Sequence, residues 1–186
     1  MKRTLVVILL LTVGCATINI PIQGEYPFRA EFSLKGMVDG HSVCFSGAIL
    51  IVSATDGIVE VYGPSGLAVY AINIHDGSIN ILDTWGRILD KYTIPCKDAL
   101  GIMAGFPPGG SYLSKKRHGN TIKIRYIWGS LILDKDMLPK SLHLKLDRRP
   151  IDVVFNPTGK MIKLMILSGY DRLDIELFGR EGGRWR

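Results

Sequence analysis

Residues 28–35 read Phe-Arg-Ala-Glu-Phe-Ser-Leu-Lys, so that Phe28, Ala30, Phe32 and Leu34 alternate with Arg29, Glu31, Ser33 and Lys35. Side chains of an extended chain point to opposite faces in turn, so this period of two predicts a strand with one buried and one wet face. Asp39-Gly40 follows as a hairpin turn. The next run, 42–53, is apolar or small on both faces, with Val43, Phe45, Ile49 and Ile51 against Cys44, Ala48, Leu50 and Val52. Asp56-Gly57, Gly63-Pro64-Ser65-Gly66 and Asp76-Gly77 then separate the short apolar runs 58–62, 67–74, 78–82 and 87–94. Beyond residue 120 the pattern resumes over 121–128, 141–147, 151–155, 161–167 and 172–178. Short strands at this spacing, broken by turn dipeptides, predict an antiparallel meander that curls into a barrel or half-barrel.

Only 97–105 has helical character, with Ala99, Leu100, Ile102 and Met103 on one side, and Phe106-Pro107-Pro108-Gly109-Gly110 ends it. The reading is therefore a mainly β chain of about ten or eleven strands, with no internal repeat and one domain over 28–180. The tail 181–186 reads as frayed.

The amino terminus carries a different message. Lys2-Arg3, an apolar run over 4–13 and Gly14-Cys15 have the layout of an export signal, and the run is far short of the roughly 20 residues of a spanning helix. Thr12-Val13-Gly14-Cys15 resembles the lipobox of bacterial lipoproteins, in which the thiol is acylated and the preceding peptide removed. That resemblance makes 1–14 a signal peptide, Cys15 the lipidation site and 15–27 a tether. The alternative is a secreted protein cut after Ala16. Stable anchoring takes more than one chain at about 0.8 kcal/mol per buried methylene, which a multiply acylated Cys15 satisfies. Because Ala16, not Asp, follows Cys15, the resemblance implies the periplasmic face of the outer membrane.

The formal charge of +6 falls to about +4 without Lys2 and Arg3. This mild excess suits contact with anionic lipid headgroups and suits an ordinary solvated face equally well. No interleaving of aromatic and basic residues marks a nucleic-acid binder, and export argues against that class. Cys44 and Cys96 remain, and an oxidising compartment permits a disulfide while two free thiols fit as well. His41, His75, His118 and His143 have no metal-ligand spacing, no Gly-x-Ser-x-Gly elbow occurs, and Asp171, Asp174 and Glu176 fit a solvated strand face. The expectation is a chain without enzymatic activity, metal or cofactor.

The lipobox, the first strand pair, the run 58–66 ending in Gly63-Pro64-Ser65-Gly66, the return strand and Asp76-Gly77 before another strand together resemble the LolA/LolB lipoprotein-localisation family, its LolB-like branch above all. The resemblance covers about residues 28–94. It implies a curved, unclosed antiparallel β-barrel with one or two short capping helices and an apolar cavity for acyl chains. It further implies a protein that accepts lipoproteins from a periplasmic carrier and inserts them into the outer membrane, with no cofactor. The implied partners are outer-membrane lipids, acyl chains of lipoproteins and that carrier. Two departures stand out: Ser65 occupies the place of the family's apical Leu, with Leu67 two residues on, and 15–27 is too short and Pro-rich for the family's N-terminal helix.

Candidate cavity residues are Phe28, Phe32, Phe45 and Ile49 from the first two strands, Val59 and Val61 from the third, Met103 from the helix, and Met161 and Met165 from a late strand. The Met side chains, Met37 among them, suit an adaptable lining. The same residues equally suit the filled core of a small barrel, and a filled core leaves a structural or assembly lipoprotein that docks proteins on its sheet. Pro64, Ser65 and Leu67 form the candidate membrane-facing loop, and Lys115, Lys116 and Arg117, within the loop 107–120, the candidate basic rim. Lys145, Arg148 and Arg149 form a second basic group.

Overall fold

The strand predicted from the alternation at 28–35 runs from Glu25 to Val38 as β1 and lies in the interior of a single sheet. The computed structural model describes residues 25–145, 150–158 and 161–185. The segment 1–14 expected to be a signal peptide, the expected lipidation site Cys15 and most of the expected tether lie outside the described residues, as do Leu146, Asp147, Arg148, Arg149 and Arg186.

From β1 the chain meanders outward through β2 (His41–Ile51), β3 (Asp56–Tyr62), β4 (Ala68–His75), β5 (Ser78–Leu82) and β6 (Ile88–Thr93). It then crosses over residues 94–113, which include a short helix, α1 (Ala99–Met103). A second meander follows: β7 (Ser114–His118), β8 (Thr121–Tyr126), β9 (Gly129–Leu133), β10 (Pro139–Leu144), β11 (Ile151–Thr158), β12 (Met161–Ser168) and β13 (Asp171–Gly183). The last strand pairs with the first, giving the order β6-β5-β4-β3-β2-β1-β13-β12-β11-β10-β9-β8-β7, antiparallel throughout. Among the described residues no pairing joins β6 to β7. The result is a mainly β, curved, unclosed antiparallel barrel with thirteen strands.

The sequence count of ten or eleven falls short because β7 and β9 escape pattern reading. Ser114-Lys115-Lys116-Arg117-His118 has no apolar alternation, as suits an edge strand whose charges oppose unwanted pairing. Lys115, Lys116 and Arg117 therefore sit on an edge strand, not on a loop.

The two sheet faces differ. On β1 the even residues Phe28, Ala30 and Phe32 are buried, and this inner face continues through Ile49 and Ile51, Ile162 and Leu164, Phe155, Leu142 and Leu144, Leu131 and Leu133, and Ile124 and Tyr126. Residues 94–113 lie across it at one end. Ile94 N–H bonds the Gly77 carbonyl at 2.9 Å and Gly101 N–H the Ala54 carbonyl at 3.1 Å. The segment buries Cys96, Leu100, Ile102, Ala104 and Phe106, with Phe106 4.8 Å from Tyr26 between ring centroids.

The carboxy-terminal residues are not frayed. β13 continues to Gly183, Arg184 N–H bonds the Ala104 carbonyl at 2.9 Å, and Trp185 Nε1–H bonds the Met103 carbonyl at 2.7 Å. Trp185 is only 7 % exposed and stacks on Phe155. The physical reason is the crossing segment, whose last carbonyls and apolar side chains need a cover that the tail supplies.

Candidate functional site

Three cross-strand rows on the inner face build an apolar groove. The first runs Tyr70–Val61–Gly47–Phe32–Leu177 across β4, β3, β2, β1 and β13. The second runs Ile81–Ile72–Val59–Ile49 from β5 to β2, and the third Phe45–Leu34–Ile175. Met103 of α1 completes the lining. The groove has a volume of about 480 Å³ and no charged side chain in its wall. Clefts that hold small ligands span roughly 300–1,000 Å³ and are mostly apolar.

Gly47 shapes the middle row. A Cβ there would lie 1.9 Å from the Glu60 carbonyl and 2.6 Å from the Phe32 ring, so the missing side chain lets that ring lie across β2.

The groove has a closed and an open end. Gly57 of β3 faces Leu100 of α1, which together with Met103 closes the end where β2 turns into β3. Toward the other end, Phe45 and Tyr70 are half-exposed. The β8–β11 half of the same face is filled by the protein's own side chains, with Ile124, Leu131 and Leu133 fully buried and Tyr126 stacked on Trp128 at 4.4 Å. The interior is thus hollow on one side of β13 and solid on the other.

Of the cavity residues read from the sequence, Phe32, Phe45, Ile49, Val59, Val61 and Met103 lie on this groove. Phe28 does not; it is fully buried beneath the crossing segment and contacts the Gly183 position. Met161 and Met165 do not either. Ile162 and Leu164 take the inner face of β12, which turns Met161 and Met165 outward with Lys163, and Lys163 pairs with Glu176 at 2.8 Å. A strand apolar on both sides does not reveal which face is inside. Leu34, Tyr70, Ile72, Ile81, Ile175 and Leu177 complete the wall, and their register partners in the rows above are the signal that identifies them.

Pro64, Ser65 and Leu67 occupy the turn between β3 and β4, held by Gly63 N–H to the Leu67 carbonyl at 2.9 Å. All three are exposed, at the open end of the groove. Lys115, Lys116 and Arg117 lie elsewhere, on β7 at the far edge of the strand order from the groove strands. Lys116 opposes Lys123 on β8, and Lys123, Arg125, His143 and Lys145 line a separate outer depression of about 380 Å³.

The carboxylates, histidines, cysteines and basic side chains stand apart from the groove wall. Cys44 is exposed on the outer face and Cys96 buried on the inner side, and both thiols are free. Burial, reinforced by Asp98, pushes the Cys96 thiol up to about 12. His143 pairs with Asp152 at 2.7 Å on the outer face, and His75 with Asp56 at the β2–β3 turn. Hydrogen bonds from Ser53 and Thr55 and then His75 hold the Asp56 carboxyl down at about 2. Among the described residues no three His, Cys, Asp or Glu side chains form a group able to hold a metal ion.

No family model and no curated protein matches this sequence. Solved structures do match in shape. A LolA superfamily protein from Nitrosomonas europaea superposes with a TM-score of 0.53 at 9 % identity, over 88 % of each chain. A DUF1329 family protein from Desulfovibrio piger gives a TM-score of 0.49 at 7 % identity, over 87 % of this chain and 86 % of the other. The chain has the fold of the LolA superfamily.

Proposed function

We propose that this protein binds acyl chains in the groove between β5 and β13, and that the chains belong to lipoproteins on their way to the outer membrane. The observation that carries this reading is the uncharged groove of about 480 Å³ on the inner face. A groove of such side chains favours a hydrocarbon guest because each methylene taken from water contributes about 0.8 kcal/mol. Its open end lets a chain enter while the polar remainder of the cargo stays in solvent. The solved LolA superfamily structure shares the fold, which agrees with this reading.

In this account the acylated Cys15 moors the protein on the periplasmic face of the outer membrane, a periplasmic carrier delivers the cargo, and the turn at 63–67 faces the bilayer. Transfer needs no cofactor or bond-making step; the chain moves down a gradient of affinity from carrier to groove to membrane. The groove side chains act by excluding water, and none of them is asked to move a proton.

Displacement of a fluorescent fatty acid from the purified protein tests the groove. Competition by palmitate with a micromolar or tighter constant is the expected result, and absence of any fatty-acid binding overturns the proposal. Depletion of the protein in cells tests the receptor role, since lipoproteins that still reach the outer membrane would contradict it.

A further inference from the structure

The antiparallel meander sends its turns alternately to the two ends of the barrel, and the two sets differ in chemistry. At the closed end the described turns carry Ser53-Ala54-Thr55, Asp76-Gly77, Gly119-Asn120 and Asp134-Lys135-Asp136; Val52, Ile58 and Tyr92 are exposed on the flanking strands, but no large apolar side chain stands exposed on the turn tips. At the open end nearly every described turn carries one. Leu67 of the β3–β4 turn is 71 % exposed, Trp85 of the β5–β6 turn 79 %, Ile127 of the β8–β9 turn 85 %, and Tyr170 of the β12–β13 turn is fully exposed. Leu113, which leads into β7 at the same end, is exposed as well. Of these turns only Asp39-Gly40 lacks an apolar tip, and its Asp39 N–H is bonded to the Asp171 carboxylate beside Tyr170 at 2.9 Å.

We infer that this crown of separate apolar tips seats the open end of the barrel in the interfacial region of a phospholipid bilayer. The inference rests on the groove reading above for the membrane as destination and extends it from one turn to the whole rim. A protein-docking surface presents a contiguous apolar patch of matched shape. Here single large side chains stand on turns spread from β3 to β13, with glycine and charged residues between them, which suits a fluid partner. Trp and Tyr are the residues enriched at membrane–water interfaces. Cations accompany the tips. The Arg87 guanidinium lies 5.0 Å over the Trp85 ring, and Arg125 and Lys145 share the outer depression with Leu113 and Ile127. Basic groups beside apolar tips place phosphate contacts at the depth where those tips enter the acyl boundary. Half-exposed Phe45 and Tyr70 connect the groove to this rim, so a chain leaving it emerges among the inserted tips.

The test uses the full chain with Cys15→Ser and Cys44→Ser, leaving the buried Cys96, and an environment-sensitive fluorophore at Ile127→Cys, Tyr170→Cys or, at the closed end, Asn120→Cys. Each protein is mixed with vesicles of phosphatidylethanolamine and phosphatidylglycerol. Fluorophores at positions 127 and 170 are expected to shift blue with a roughly threefold rise in emission and to be quenched by spin-labelled lipid, while the one at 120 stays aqueous. The inference is overturned if the open-end fluorophores remain aqueous, whether or not the protein sediments with vesicles, or if position 120 responds as they do. It is equally overturned if they respond to an added protein and not to lipid. Fatty-acid displacement separates the two claims: a groove that binds chains beneath an aqueous rim sinks this inference alone, and a lipid-seated rim around a groove that binds nothing sinks the groove reading alone.

Discussion

Replacing Trp185 by Ala removes a ring that is 7 % exposed, lies 5.7 Å from the Phe155 ring between centroids, and donates to the Met103 carbonyl at 2.7 Å. Deleting a buried aromatic side chain costs about 3–5 kcal/mol, because the packing void adds to the lost transfer energy. The hydrogen bond is about 1 kcal/mol of the same interaction. Domains of 150–250 residues lose roughly 2–4 °C of Tm per kcal/mol, so Trp185→Ala is expected to lower Tm by about 10 °C. Trp185→Phe keeps most of the packing and loses the donor, so its cost is about 1 kcal/mol. Urea unfolding followed by far-ultraviolet circular dichroism gives both values without relying on tryptophan emission. Because the ring pins the end of α1, the Ala variant also loosens Met103 at the groove floor and weakens fatty-acid binding. If Trp185→Ala unfolds within 1 kcal/mol of the parent, the carboxy-terminal residues do not hold the crossing segment and the packing argument is wrong.

Val59→Trp places a large ring on the middle row of the groove. Fatty-acid affinity is expected to fall at least tenfold, about 1.4 kcal/mol or the burial of two methylenes, and an unchanged constant in a displacement assay would place the chain elsewhere. Cys44 is expected to react with a thiol reagent in the folded protein, whereas Cys96, buried and with its thiol raised to about 12, reacts only on unfolding; two equivalent reaction rates would contradict the burial. Asp56, lowered to about 2, supports the β2–β3 turn above the ordinary carboxylate range and loses that contribution as pH falls from about 4 through 2. A carboxyl carbon resonance of Asp56 that titrates near 4 by NMR would remove the basis for this, and Asp56→Asn is expected to abolish the acid-dependent part.

How much of this is legible in the sequence depends on how local the governing physics is. The alternation over 28–35 specified β1 and its buried Phe28 and Phe32, because a half-buried strand prints its face in the sequence. With the next two strands it specifies part of the groove wall, since Phe45, Ile49, Val59 and Val61 continue that face in register. β7 was illegible because an edge strand made of Ser114, Lys115, Lys116, Arg117 and His118 has nothing apolar to alternate. β9 is hidden because the turn before it is Ile127-Trp128, which lacks the Gly, Asn or Asp signals of hairpin turns.

The chemistry of Met161 and Met165 suits the groove, but only the pairing of Ile162 with Leu177 determines which side of β12 faces in. Trp185 gave no local sign either. It sits after Gly182-Gly183-Arg184, and its partner Met103 is 82 residues away. The choice between a hollow and a filled barrel was the least local of all. It turns on which half of the inner face the residues 94–113 and the tail cover, and those contacts follow from the crossing between the two sheet edges.

The most direct test is an NMR measurement of a protonated palmitate against protein carrying labelled Ile, Leu and Val methyl groups. The account predicts intermolecular contacts from the chain to methyls of Ile49, Val59, Val61, Ile72 and Ile175, and none to Leu131, Leu133 or Leu142 in the solid half. Contacts to the second group, or no contacts at a saturating palmitate concentration, would contradict it.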